Sequence, residues 1–209
     1  MLYDHASALP AGSTVLEIGS HRGRSSIVLA KALEQSQGRL ICVDPFVDGS
    51  LFGGSKTREE FEANIAAAAV EDRIELVADY STRLRPSWTR DIDLLYIDGK
   101  HDYWTFTDDL GWAEHLPDGG AILVHDAFSS IGVTLGVLAK ILSSSRLRYV
   151  ERSDSMALFV KATPTRTDRL RIVGELPWWI RNVGIKVLLR LRLRPLARLF
   201  GHDSVYDPY

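Results

Sequence analysis

At 209 residues, 45% hydrophobic and 25% charged, the chain is long enough for one α/β domain with a full core, too short for two of ordinary size, and globular in composition. Its one cysteine, Cys42, excludes an internal disulfide and reads as a small core hydrophobe in a reducing compartment. The net charge of −2 hides an asymmetry: from Pro164 to Phe200 nine Lys or Arg stand against two acids, so that segment carries +7 and the remainder −9.

In chain order, Met1 to Gly12 contains Asp4, His5 and Pro10 and lacks the apolar run of a signal peptide. Thr14 to Ile18 is an apolar strand, followed by Gly19-Ser20-His21-Arg22-Gly23-Arg24-Ser25-Ser26 and an amphipathic helix from Ile27 to Leu33. Glycines let a ligand approach the backbone, and a helix N-terminus offers free N–H groups to an anion. The spacing G-x-x-x-G departs from the dinucleotide pattern G-x-G-x-x-G. Arg39 to Val43 is a second strand closing on Asp44, an acid placed either to hydrogen-bond both ribose hydroxyls or to open a solvated turn.

The Phe46–Lys56 loop mixes Gly49, Gly53 and Gly54 with Phe46, Leu51 and Phe52, which suits a substrate lid with exposed aromatics or an ordinary surface loop. Thr57 and Glu60 have capping-box spacing and open a helix to Ala69. Ile74 to Ala78 is a third strand with Asp79-Tyr80-Ser81 at its end, near enough to a ligand rim to touch a purine edge.

Asp91 to Asp98 (DIDLLYID) is a fourth strand, Asp102 to His115 a helix, and Pro117-Asp118-Gly119-Gly120 a turn into the strand Ala121 to Val124, which ends in His125-Asp126. Near-continuous apolar runs are the mark of parallel strands buried on both faces, and ligands gather outside the carboxyl ends of such strands. If the two strands are neighbours, Asp98 and His125-Asp126 converge on one cation or one substrate hydroxyl; alternatively the acids cap helices. Ile131 to Leu142 is a further helix, and Leu147 to Val150 and Met156 to Val160 are closing strands around a Ser153-Asp154-Ser155 turn.

The last segment combines Leu176-Pro177-Trp178-Trp179-Ile180 with alternating Leu and Arg through Leu199. It fits either a helix on an anionic membrane face or one packed on the body or a second subunit. No run reaches the length of a membrane span.

The succession strand, E-x-G-x-x-x-G-x-S, helix, strand ending in Asp44, then Y-I-D-G-x-H-x-Y and G-G-x-x-x-x-H-D resembles the class I S-adenosylmethionine-dependent methyltransferases from Val15 to Val160. Among them it is most similar to the metal-dependent sugar O-methyltransferases of the macrolide sugar and rhamnosyl type. The resemblance implies a Rossmann-like α/β fold with a seven-stranded, mostly parallel sheet, helices on both faces and a basic C-terminal extension. The domain would span 1–162 and the extension 163–209.

The resemblance further implies that Glu17, Gly19, Ser20, Gly23 and Ser25 hold the methionine end of S-adenosylmethionine. Asp44 would bind the ribose, Asp79, Tyr80 and Ser81 would border the adenine, and Asp98 would also line the cofactor. Asp98 and Asp126 correspond to metal-binding acids and His101 to the general base. His125 stands where the metal-dependent sugar enzymes have an acid, and it is a third candidate ligand. Two carboxylates suit Mg²⁺, and an added imidazole suits Mn²⁺ better.

Methyl transfer from a sulfonium is an in-line displacement that requires alignment of an oxygen and removal of its proton. A histidine with an ordinary pKa near 6.5 can take that proton, and if a helix begins just after Gly99, His101 and Asp98 face the same way. Lys100 is a rival base, and it remains protonated at neutral pH unless perturbed.

The expected activity is divalent-metal-assisted O-methylation of a hydroxyl on a sugar, glycan or glycolipid by a cytoplasmic protein, peripheral on the inner membrane face through its tail. A homodimer would help complete the lid, since little chain precedes the first strand. The alternatives are a non-catalytic partner subunit of the same fold and a metal-free methyltransferase for another small molecule. A nucleic-acid acceptor is disfavoured because the chain has no N-P-P-Y-like motif.

Overall fold

The computed structural model describes residues 1–47 and 54–204. The elements follow as α1 (Leu2–Ser7), β1 (Thr14–Ile18), α2 (Arg24–Ala32), β2 (Arg39–Val43), α3 (Ser55–Ala67), β3 (Ile74–Val77), α4 (Ser81–Leu84) and β4 (Leu94–Ile97). Next come α5 (Tyr103–Asp109), β5 (Ala121–Val124), α6 (Ile131–Gly136), β6 (Leu147–Ser153), β7 (Met156–Lys161), α7 (Arg166–Gly174), α8 (Leu176–Arg190) and α9 (Arg194–Leu199).

The strands form one seven-stranded sheet in the order β3-β2-β1-β4-β5-β7-β6, parallel from β3 to β5 and antiparallel at β7 and β6. Side-chain alternation sorts each central strand onto two apolar layers. Leu16, Ile18, Leu95, Ile97, Ile122 and Val124 pack with Phe106 of α5, Val133 of α6 and Ile172 of α7. Val15, Leu40, Leu94, Tyr96 and Leu123 pack with Ala6 of α1, Leu29 of α2, and Phe61 and Ile65 of α3. Both faces are therefore covered, and each fully buried Leu or Ile adds roughly 1.5–3 kcal/mol of hydrophobic stabilisation. Cys42 is fully buried in the second layer, as its small size and apolar neighbours predict.

Several local expectations are corrected. The helix expected over Ile27–Leu33 is shifted toward the N-terminus, because Gly23 at φ +80° turns the chain and starts α2 at Arg24. The Thr57–Glu60 capping box does not form: Gly54 is the N-cap, at φ +97°, and Thr57 lies buried inside the first turn of α3. Phe46 is not an exposed lid aromatic but is 7% exposed, with its ring edge-on to Phe61 at 5.9 Å. Residues 48–53 of that expected lid lie outside the described residues, and Gly54 to Lys56 form the start of α3 instead.

β4 starts at Leu94, not at Asp91, because the Ile92 N–H donates to the His115 carbonyl instead of joining the sheet. The expected helix 102–115 has Asp102 as its N-cap, accepting from the Thr105 N–H at 3.0 Å, and tightens after Asp109 into a 3-10 turn over Leu110–His115. The helix expected over 131–142 likewise ends as a π turn, Val137–Ile141.

The C-terminal helices pack on the body along one side. Glu175, between α7 and α8, accepts from Tyr149 Oη at 2.6 Å and from Arg152 Nε at 2.8 Å. Asn182 and Ile185 of α8 are fully buried, and Lys186 Nζ donates to the Ser129 carbonyl at 3.0 Å. Among the described residues, no helix is long and apolar enough to cross a membrane.

Candidate active site

Register places the rim. Ile18 of β1 pairs with Ile97 of β4, and Ile97 pairs with Val124 of β5, so Gly19, Asp98 and His125 leave the sheet side by side. Successive N–H groups continue the pairing, from Asp98 to Ile18 O at 2.8 Å and from His125 to Ile97 O at 2.9 Å. After β1 the chain runs outward to β2 and β3, then returns to add β4 and β5 on the other side, so β1 and β4 flank the topological switch point.

Gly19 is required there. Its φ is +90°, and a Cβ would lie 2.3 Å from the Asp98 carbonyl oxygen. The glycine loop and the Asp98 loop are thus in backbone contact.

Four ionisable side chains meet at this rim. His101 places Nε2 3.4 Å from Asp98 Oδ1 and Nδ1 3.1 Å from Asp126 Oδ2. His125 Nδ1 is 3.1 Å from Asp98 Oδ1 and 3.6 Å from Asp126 Oδ1. The expectation that a helix after Gly99 aligns His101 with Asp98 fails, since α5 starts only at Tyr103. Instead the β5–α6 connection positions His101: Ser130 Oγ donates to the His101 carbonyl at 3.0 Å, and Gly132 lies so close that a Cβ would be 2.4 Å from that oxygen.

Neither rim acid caps a helix. Asp102 caps α5, Ser130 precedes α6, and Asp126 takes φ +53°. Lys100 is 79% exposed and 3.0 Å from Asp102 Oδ2, outside the cluster.

Charge is shared unevenly among the four. Burial alone would raise Asp98, but the close His101 and His125 imidazoles and the Tyr96 hydroxyl bring it down to about 2. Burial would likewise lower His101, yet its contacts with Asp126 and Asp98 raise it to about 9. His125 is also raised, against burial, chiefly by Asp98, and Asp126 is lowered, against burial, chiefly by His101. An imidazole so placed keeps its proton at neutral pH. The premise of a free histidine near 6.5 does not hold for this arrangement as it stands, because two carboxylates flank the ring.

The donor set fits a divalent cation. His125 Nδ1 and Asp126 Oδ1 are buried and make no hydrogen bond, although charged partners lie within 3.6 Å. A cation bound here would take the place of the imidazole proton that otherwise draws His125 to Asp98, and would give Asp126 Oδ1 a partner. Asp98, His101 and His125 each offer one ligand atom, all within 4.8 Å of one another. His101 is therefore placed both as a ligand and as a base, and one ring nitrogen cannot serve both purposes at once.

The remaining predicted residues surround the glycine loop in different ways. Glu17 is fully buried: Ser25 Oγ donates to Oε1 at 2.5 Å, while Ser26 Oγ and Cys42 Sγ approach Oε2. Burial raises its pKa, opposed by the serine hydroxyls. Glu17 thus braces the first turn of α2 from below instead of facing the rim.

Asp44 accepts from the His21 N–H and the Phe46 N–H, each at 2.8 Å, and so ties the glycine loop to the end of β2. Gly23 backs onto Phe61, and Arg22 pairs with Glu60 at 2.6 Å. Tyr80 is exposed with the Arg83 guanidinium over its ring, Asp79 accepts from the Tyr80 N–H, and Ser81 turns inward to donate to Asp109. The structure therefore brings Gly19, Asp98, His101, His125 and Asp126 together, and sets Glu17 and Ser81 behind them.

Three contributors lie outside the sequence-based set. Tyr96 Oη donates to Asp98 Oδ2 at 3.0 Å, Ser155 Oγ is 3.4 Å from His125 Nε2, and Lys186 secures the loop after Asp126. Tyr96 had a sequence signal, since residues two apart on a strand share a face. The other two are brought in by tertiary packing.

Known proteins share this geometry at the level of fold. A family profile described as a methyltransferase domain matches residues 16–127. The cofactor-bound Rv0187 from MTB superposes with a TM-score of 0.63 at 22% identity, covering 78% of each chain. The SAH-bound methyltransferase PaMTH1 of Podospora anserina gives 0.61 at 15% identity, over 77% of this chain and 75% of that one. An rRNA methylase from Streptococcus thermophilus gives 0.56 at 13% identity, over 77% and 94%. Another match is described as an O-methyltransferase family protein. Likeness of this degree shows a common fold.

Proposed function

The chain belongs to the methyltransferase domain family, and from that premise we propose that it is an S-adenosylmethionine-dependent O-methyltransferase acting on a hydroxyl of a sugar, glycan or glycolipid with help from a divalent cation. The observation that supports this most is the convergence of Asp98, His101, His125 and Asp126 beside the glycine loop at the switch point. Binding of S-adenosylhomocysteine by PaMTH1, a protein of the same fold, supports S-adenosylmethionine as the donor.

The crevice between the ends of β1 and β4 takes the cofactor. Gly19 seats the glycine loop against the Asp98 backbone, Asp44 orders that loop and presents its remaining acceptor capacity to the ribose, and Glu17 fixes α2 through Ser25 and Ser26. The acceptor hydroxyl lies over Asp98, where Tyr96 holds one carboxylate oxygen and leaves the other facing the histidines. Asp98, His125 and Asp126 would hold the cation, which polarises the acceptor oxygen and lowers its pKa. His101, pinned by Ser130, receives the hydroxyl proton after losing its own to solvent water, a loss that a cation on Asp98 and Asp126 would favour by offsetting the two carboxylates that hold it.

Calorimetry with S-adenosylhomocysteine, followed by transfer of a labelled methyl group to a panel of sugar acceptors with Mg²⁺ or Mn²⁺, tests the reading. Binding and cation-stimulated methyl ether formation support it. Absence of cofactor binding points to a non-catalytic subunit of the same fold, and full activity in chelator removes the cation.

A further inference from the structure

We propose that the outward side of α8 and α9 is a docking surface for an anionic lipid membrane. α8 has a buried face and an exposed apolar face at helical spacing. Asn182 and Ile185 are buried against the body, while Ile180 (62% exposed), Val187 (50%) and Leu191 (63%) form a stripe on the opposite side. α9 adds the exposed apolar residues Leu196 and Leu199, the latter 80% exposed.

The charge around this stripe selects the occupant. Arg190, Arg192 and Arg194 are exposed and pair with no acid among the described residues. They differ from Arg169, Arg181 and Lys186, whose head groups are spent on main-chain carbonyls of the protein itself. A second copy of this chain would bring its own cationic stripe to the same place, which like-charge repulsion disfavours. Apolar side chains that enter the acyl boundary beside guanidinium groups that meet phosphates are the complement of an anionic bilayer surface.

Docking has a geometric consequence. Through Lys186 and Ser129, α8 is fastened to the loop that follows Asp126, so the helix on the lipid surface and the candidate catalytic rim are held as neighbours.

Co-sedimentation of the full chain with phosphatidylcholine vesicles, with and without phosphatidylglycerol, tests the surface without S-adenosylmethionine or acceptor, so its outcome is separate from that of the methyl-transfer reading. The protein should pellet with the anionic vesicles, remain in solution with the zwitterionic ones, and be released as salt rises. Leu191→Glu with Leu199→Glu, and separately Arg190→Glu with Arg194→Glu, should each lower the bound fraction about tenfold while leaving the thermal midpoint unchanged, since all four positions are exposed. The proposal is overturned if the wild-type protein ignores anionic vesicles, if the variants bind as well as it does, if ultracentrifugation finds a dimer that Leu191→Glu splits, or if RNA displaces the vesicles.

Discussion

The Tyr96 hydroxyl donates to Asp98 Oδ2 at 3.0 Å from a ring that is only 2% exposed. Strand β4 therefore supplies the group that fixes the rotamer of the carboxylate just beyond its end. Tyr96→Phe preserves the packing and removes the donor, which should cost about 1.5–3 kcal/mol of stability because the acceptor is charged. It should also lower methyl transfer about tenfold with little change in cofactor affinity. Denaturant titration and steady-state kinetics on the variant give both numbers, and unchanged turnover would assign Tyr96 to packing alone.

Asp109, behind the rim against Gly99 and Ser81, offers a test of pH dependence. Burial raises its pKa from 3.8 to about 6, with the Ser81 hydroxyl opposing. Its folded pKa lies above the unfolded one, so folding takes up a proton between those values. The stabilisation is complete below about pH 4 and is lost as pH rises through about 6. Asp109→Asn should accordingly be more favourable, relative to wild type, at pH 8 than at pH 4, by up to about 3 kcal/mol. Equal differences from wild type at the two pH values would place the carboxyl in solvent.

Gly19 and Gly12 form a controlled pair. Both have positive φ, +90° and +78°, but a Cβ on Gly19 meets the Asp98 carbonyl at 2.3 Å, whereas one on Gly12 meets nothing within 4 Å. Gly12→Ala should cost about 1 kcal/mol from backbone conformation. Gly19→Ala should cost at least about 3 kcal/mol and abolish S-adenosylhomocysteine binding, because the glycine loop must leave β4. Calorimetry on both variants decides whether the close approach matters.

His125 offers a nitrogen donor beside the carboxylates of Asp98 and Asp126. His125→Asp replaces a nitrogen donor with a carboxylate and should shift preference toward Mg²⁺ over Mn²⁺ by about tenfold. Titration of both ions into wild-type protein and variant reads this directly, and an unchanged ratio would mean that His125 is not a ligand.

The seven strands are legible because apolar runs and strand ends are local signals; the order of the strands, on which the shared rim of Asp98 and Asp126 depends, is not local and comes from the pairing of β4 with β5. Tyr96 could have been read from its two-residue spacing to Asp98. The Thr57 capping box was misread because Gly54, three residues earlier, starts α3. Lys186 reaches Ser129 across 57 residues, a contact that local pattern does not carry. The protonation of His101 was equally hidden, since it depends on two carboxylates that meet only when β4 and β5 pair.

The most direct test of the account is the turnover of His101→Ala in labelled methyl transfer, measured beside its affinity for S-adenosylhomocysteine. Loss of about 10²–10⁴-fold in kcat to a sugar hydroxyl, with cofactor affinity kept within about threefold, is the expected result. Full turnover in the variant, or label found only on RNA, would contradict it.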